Sequence, residues 1–279
     1  MPVSTKNPKN LSEEKISPFL KWAGGKRWLM YDHPHLFPSK FNRYIEPFLG
    51  GGAIFFDLAP ENAILSDLNQ ELIQTYEALK SSWEKVENIL WQHHNKHDKE
   101  YYYKIRSSNP TSLHGKAAKF IYLNRTCWNG LYRVNLKGEF NVPIGTKKNV
   151  ILENDNFKNV SSILKNVQLL AYDFEDVIGL SKKGDFVFID PPYTVKHNYN
   201  NFIKYNEKLF SWKDQVRLKK AVESAVKRGA KVLVLNANHE SVRELYKNFG
   251  SQTTISRKSV LAADPQKRGI FEELAIRAW

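Results

Sequence analysis

The 279-residue chain is 42% hydrophobic and 13% aromatic, enough for a packed core, and this excludes global disorder. Its 42 Lys and Arg against 29 Asp and Glu leave a formal charge of +13, which favours a polyanionic partner because basic side chains displace counterions from phosphates; a generally basic, soluble surface is the plainer alternative. A single cysteine, Cys127, excludes an intrachain disulfide and a cysteine-rich zinc site, and no apolar run approaches the roughly 20 residues that cross a bilayer. The polar opening MPVSTKNPKNLSEEKIS lacks the apolar stretch of a secretory signal, so a cytoplasmic protein with a short flexible N-terminal arm is expected.

In chain order, PFLKWAGGKRWL comes first. It offers Trp22 as an aromatic wall and Lys26 as a cation for a carboxylate, or simply a surface loop with a buried tryptophan. RYIEPF and NAILSD are short apolar runs bounded by polar residues, the pattern of buried strands, and between them Gly50-Gly51-Gly52 opens the helix AIFFDLA. Glycines at such a turn let backbone N–H groups approach a ligand, although a Gly-rich first turn also serves packing alone. NQELIQTYEALKSSWEKVENIL carries apolar residues at helical spacing behind two credible N-caps, Asp67 and Asn69, completing a βαβ beginning. Asp67 ends the second strand, where an acid commonly holds ribose hydroxyls; a plain helix cap is the alternative.

From about Gln92 the composition turns basic and aromatic. Between Lys96 and Lys148, eleven Lys and Arg face only Asp98, Glu100 and Glu139. LYRVNLKGEFNVPIG reads as a hairpin turning at Lys137-Gly138. His93, His94 and His97 read as a solvated polar loop, and no metal site is expected. The strand–helix rhythm then returns. VQLLAYD, DFVFID and AKVLVLNA are expected strands, and SWKDQVRLKKAVESAVKRG and HESVRELYKNFG are expected helices stopping at Gly229 and Gly250. IFEELAIRAW is expected as an edge strand, and DPQKRG (264–269) as a basic loop, solvated or contacting phosphates. The expected fold is α/β, one core interrupted by an insert.

One stretch carries chemistry. FVFIDPPYTV ends a buried strand in Asp190, Pro191, Pro192 and Tyr193. Proline fixes φ and has no N–H, so the segment presents rigid acceptors, a carboxylate and a proline carbonyl, at the strand end where open α/β sheets bind ligands. Two acceptors suit a donor with two hydrogens, such as the exocyclic NH₂ of a nucleobase, and Tyr193 supplies a ring for it to stack on.

KWAGGK, EPFLGGGA, NRTCWNGLYRVNLKGEFNVPIG and DPPY, in that order, resemble the Dam-type (D12 class, alpha group) adenine-specific DNA methyltransferases. The resemblance implies a Rossmann-like S-adenosylmethionine-dependent core from residues 1–71 and 161–279. It also implies a mostly helical DNA-recognition insert with a β-hairpin over 72–160. It implies cofactor contacts at Trp22, Lys26, Glu46, Phe48, Gly50, Gly52, Asp67, Asp173, Phe174 and Asp190, and a catalytic Asp190, Pro191, Pro192 and Tyr193. For DNA it implies Lys21 on the first guanine of the target, Arg133 on a second, Leu131 and Pro143 on a neighbouring pair, Trp128 in the gap left by an extruded base, and Asn129 and Asn135 beside them. That set resembles the enzymes specific for GATC. Double-stranded DNA is the implied partner, in a restriction–modification, repair or phage setting. A monomer acting on one strand at a time is expected, with localisation to the cytoplasm and, through DNA, the nucleoid. Methylation of a cytosine amino group, a related amide methyltransferase, and a DNA-binding regulator with an inactive cofactor site are the competing readings. Cys127 is not expected to be a nucleophile, because it lacks the proline-cysteine context of cytosine ring methylation.

Overall fold

The apolar runs become strands because both of their faces find cover. In the computed structural model, which describes residues 16–135, 138–196, 210–258 and 270–279, β1 (Tyr44–Glu46), β2 (Ala63–Ser66), β3 (Val167–Leu170), β4 (Phe186–Ile189) and β5 (Lys231–Ala237) pair in parallel. β6 (Ser251–Lys258) and β7 (Ile270–Ala278) complete the sheet in the order β3-β2-β1-β4-β5-β7-β6, with β7 antiparallel to both of its neighbours. The expected N-terminal arm, Lys137 and the 264–269 loop lie outside the described residues.

Alternation along the strands divides the core in two, since successive side chains leave a strand on opposite faces. Tyr44, Leu65, Phe186, Phe188, Leu233 and Leu235 enter one buried cluster, while Ile45, Ile64, Val187, Ile189, Val232 and Val234 enter the other. Full burial of each such side chain contributes about 1.5–3 kcal/mol. This two-sided cover explains why the sequence pattern there is continuous rather than alternating.

The helices are α1 (Leu29–Asp32), α2 (Ala53–Leu58), α3 (Gln70–Lys96), α4 (Lys99–Ser107), α5 (Leu113–Thr126), α6 (Phe157–Leu164), α7 (Phe174–Gly179), α8 (Trp212–Lys227) and α9 (Glu240–Leu245). Asn69 caps α3 by accepting from Leu72 N, so Asp67 is left to other work. Leu72, Tyr76, Leu79, Val86 and Leu90 line one buried stripe of α3 despite a break in helical geometry at Ser82. Through α3 and α5, the first cluster runs without interruption from the sheet into the inserted segment. α7, α8 and α9 supply residues to the second. α8 begins with a capping box formed by Ser211 and Asp214. No described helix is long and apolar enough to cross a membrane.

Two expectations are corrected. β7 is not an edge: it lies between β5 and β6, and the edge is β6, whose polar sequence SQTTISRK gave no apolar signal. The histidines do not form a solvated loop. His93 is buried on α3 with Nδ1 2.8 Å from the Tyr101 hydroxyl, and His97 Nδ1 lies 2.9 Å from the Tyr122 hydroxyl. Burial drives the His93 pKa down to about 4. Tyr101, from the next helix, and Tyr122, 25 residues beyond His97, turn a polar run into an aromatic cluster.

Candidate active site

The chain runs β1 to β2 to β3 on one side, then crosses back to β4, leaving a topological switch between β1 and β4. Ligands of open α/β sheets bind beyond the strand ends at such a point. Three acids stand there on adjacent strands: Glu46 closes β1, Asp67 follows β2 and Asp190 follows β4. Glu46 is buried with no hydrogen-bond partner for Oε2, and burial, reinforced by Asp190 and Asp67, raises its carboxyl well above the usual range. An orphaned buried carboxylate oxygen is costly unless something supplies a donor. Burial also raises Asp67, opposed by N–H groups of Asn69 and Gly50 that donate to it at 3.0 Å each.

Lys26 is the centre of a second group. Its Nζ donates to the Gly24 carbonyl at 3.0 Å and lies 3.2 Å from Asp190 Oδ2 and 3.4 Å from Glu273 Oε2. It also sits 4.9 Å from the centre of the Tyr193 ring, and the Tyr193 hydroxyl donates to Glu273 Oε2 at 2.9 Å. Burial raises Asp190, Lys26 opposes that rise, and Glu273 adds to it. The same burial, with Asp190 and Glu273, keeps Tyr193 protonated far above its ordinary range. Pro191 is buried and Pro192 half-buried beside them. Glu273 was not visible from sequence: an acid in FEEL has no signature, and only the pairing of β7 with β5 opposite Ala237 brings it to this end of the sheet.

The glycine turn belongs to Trp22. Gly50 has φ +49°, and a Cβ there would lie 2.6 Å from the indole Cδ1. Its N–H is occupied by Asp67 and its carbonyl accepts from the Tyr76 hydroxyl at 3.3 Å, so at Gly50 the turn meets the indole edge with its own polar groups engaged. Gly52 is buried at φ +65°, with its N–H on the Leu49 carbonyl. Trp22 stacks in turn on Tyr132 at 5.8 Å and on Phe120 at 6.5 Å. Phe48 stacks on Phe174 at 5.4 Å, and Phe174 is buried. Asp173 caps α7 and pairs with Arg217 at 2.8 Å, so its carboxylate is already engaged.

The insert delivers a hairpin beside this site. Asn135 N donates to Glu139 O and Asn141 N to Arg133 O, with Val134 bridging Phe140. Trp128, Leu131, Arg133 and Pro143 are exposed, and Arg133 Nε donates to Asn141 Oδ1 at 2.9 Å. Asn129 adopts a left-handed φ of +55° at the turn, and the Asn135 side chain is tied to Glu139. Tyr132, between the two outward residues, points inward, and its hydroxyl donates to Glu71 Oε2 at 2.9 Å. Lys21 is exposed, but its backbone is clamped at both ends by the Asn124 amide, each bond 2.8 Å. Partial burial, with Lys147 adding, lowers the Lys21 pKa. Arg125, fully buried, donates to the Phe19 carbonyl and pairs bidentately with Asp155. The NRTCWNG segment therefore fastens the segment around Trp22 to the hairpin; sequence showed the motif but not this role.

The model of the D12 class N6 adenine-specific DNA methyltransferases matches residues 22–261. The chain belongs to this family. It is 37% identical to the type II methyltransferase M1.LlaDCHI of Lactococcus lactis subsp. cremoris, over 95% of this chain and 97% of the relative. It is also 37% identical to the type II methyltransferase M.MjaIII of Methanocaldococcus jannaschii, over 93% and 98%. To a DNA adenine methylase of Haemophilus influenzae it is 32% identical, over 93% of each chain. As a D12 class enzyme it is an adenine-specific DNA methyltransferase that uses S-adenosylmethionine.

Proposed function

We propose that this methyltransferase acts on the exocyclic amino group of an adenine turned out of duplex DNA within GATC, with residues 1–71 and 161–279 holding the methyl donor and 72–160 reading the target. The observation that carries the reading is Asp190 and Pro191 at the β1/β4 switch, two rigid acceptors flanked by Tyr193 and by a hairpin with exposed Trp128, Leu131, Arg133 and Pro143.

The residues fit the donor. S-adenosylmethionine supplies an activated methyl group on a sulfonium, and it also carries an ammonium and a carboxylate. Glu46, with its unpartnered Oε2, suits a cationic donor group, Asp67 suits hydroxyls, and Trp22 provides a wall over the Gly50–Gly52 turn, whereas Lys26, already held by Gly24, Asp190 and Glu273, would reach the carboxylate only by exchanging one of them. Phe48 and Phe174 would bound the pocket from the opposite cluster, with Asp173 fixing the start of α7.

Asp190 and the Pro191 carbonyl accept from the two N–H bonds of the target amine. This turns its lone pair out of ring conjugation and toward the methyl, and Asp190 is in place to take the proton released afterwards. Tyr193 stacks on the extruded base, whose exit from the helix costs a few kcal/mol. Catalysis is by positioning and electrostatics, with no covalent enzyme intermediate. Trp128 fills the gap in the helix. Lys21, Leu131, Arg133 and Pro143 read the flanking bases, with Asn129 and Asn135 shaping the hairpin. A monomer suffices for one strand at a time.

Transfer of labelled methyl to duplexes with and without GATC tests the target. Transfer independent of GATC would reject that specificity. Asp190→Ala is expected to abolish transfer while leaving the fold and most DNA affinity; activity near that of the parent would reject the mechanism.

A further inference from the structure

The Lys26 ammonium has three hydrogens to donate. Three acceptors surround it: the Gly24 carbonyl at 3.0 Å, Asp190 Oδ2 at 3.2 Å and Glu273 Oε2 at 3.4 Å. Lys26 and Glu273 are both nearly inaccessible to solvent, at 4% each, so the sharing happens where charge interactions are poorly screened. Glu273 also accepts from the Tyr193 hydroxyl, at 2.9 Å. It thus touches both partners of the strand-end motif from the antiparallel strand β7, although it stands 83 residues after Asp190.

We propose that Glu273 is a positioning residue for methyl transfer: by taking a share of Lys26 and anchoring the Tyr193 hydroxyl, it keeps the Asp190 carboxylate available to the target amine and the Tyr193 ring in its stacking place. The proposal rests on the assignment of Asp190 as the acceptor. Without Glu273, Asp190 is the one carboxylate among the described residues left within reach of Lys26, and both that ammonium and the Tyr193 hydroxyl draw on the oxygens the adenine amino group needs. The groups that face Asp190 are Lys26 from the N-terminal segment, Tyr44 and Glu46 from β1, Tyr193 downstream and Glu273 from β7.

The test compares Glu273→Gln, Glu273→Ala and Asp190→Ala in single-turnover methylation of a GATC duplex at saturating S-adenosylmethionine, across pH, with thermal unfolding as the check on folding. Gln keeps an acceptor and removes the charge, and it is expected to slow the step about tenfold; Ala removes both and is expected to slow it about a hundredfold, with DNA affinity within about twofold. Glu273 is one of the groups that hold the Asp190 pKa up. Glu273→Gln therefore shifts the acid limb of the rate profile to lower pH, a change that a packing role would not produce. Rates within about twofold of the parent in both variants, or an acid limb that stays or moves up, overturn the proposal. If Asp190→Ala, which removes the acceptor altogether, remains active, the acceptor assignment falls and this inference with it. If Asp190→Ala is inactive and both Glu273 variants behave as the parent does, only the inference falls.

Discussion

Arg125→Met is expected to be among the most damaging single changes outside the catalytic groups. The guanidinium is 1% exposed and makes two bonds to the Phe19 carbonyl (2.9 and 3.2 Å), one to the Val150 carbonyl (2.7 Å) and two to Asp155 (2.5 and 2.7 Å). Removing it strands a carboxylate that is itself only 7% exposed, together with two carbonyls. Breaking a buried pair from one side costs about 3–5 kcal/mol, which at roughly 2–4 °C per kcal/mol lowers the unfolding midpoint by roughly 6–20 °C. Asp155→Leu alone strands the guanidinium and is expected to cost a similar amount. The double variant Arg125→Met/Asp155→Leu leaves the two carbonyls and the Leu152 N–H short of partners but no lone buried charge, and is expected to be more stable than the sum of the single losses predicts. Urea unfolding of all four proteins closes the cycle. A single-variant loss below about 1 kcal/mol, or strict additivity within about 0.5 kcal/mol, would refute the reasoning. Because Phe19 lies three residues before Trp22, calorimetry should also show weaker S-adenosylmethionine binding by the Arg125 variant.

Gly50→Ala adds a methyl 2.6 Å from the Trp22 ring at φ +49°, and it should cost about 1–2 kcal/mol in stability and more in donor affinity, measured by denaturation and calorimetry. Arg133→Ala should lower discrimination between GATC and one-base-altered duplexes by about 1–3 kcal/mol in competition assays, with a smaller effect on the single-turnover rate at saturating cognate DNA. His93 binds its proton near pH 4 in the fold but at its ordinary value when unfolded, so the unfolded state takes up protons first as pH falls. Stability should therefore decline between pH 6.5 and 4, by an amount on the order of 3 kcal/mol at the lower end. His93→Phe should flatten that part of a stability–pH curve.

Much of the sheet was legible because β1, β2, β4 and β5 are covered on both faces and so appear as unbroken apolar runs. β6 was not legible: among its described side chains only Ile255 contributes to the core, so neither alternation nor a run marks it. β7 looked like an edge because its acids and Arg277 are charged, yet Glu273 is buried by Lys26 and Tyr193, which lie far away in the chain. Asp67 and Asn69 were equal candidates for the cap of α3. Only the approach of Gly50 N, from the preceding βα turn, separates the acid that steadies the turn from the amide that starts the helix. The histidines misled for the same reason: Tyr101 stands close by in the chain, but nothing in the local run shows that Tyr122, on α5, will close over it.

The inward turn of Tyr132 bears on any attempt to retarget the enzyme. Leu131 and Arg133 face outward while the ring between them lies against Trp22, so the hairpin proposed to read the target is not a detachable cassette. A hairpin transplanted from a relative with a small residue at this place would uncover the indole and take the Glu71 bond with it. Swaps confined to the outward residues avoid that loss. Larger grafts will have to carry the aromatic along, because here new specificity and an intact donor pocket are a single packing problem.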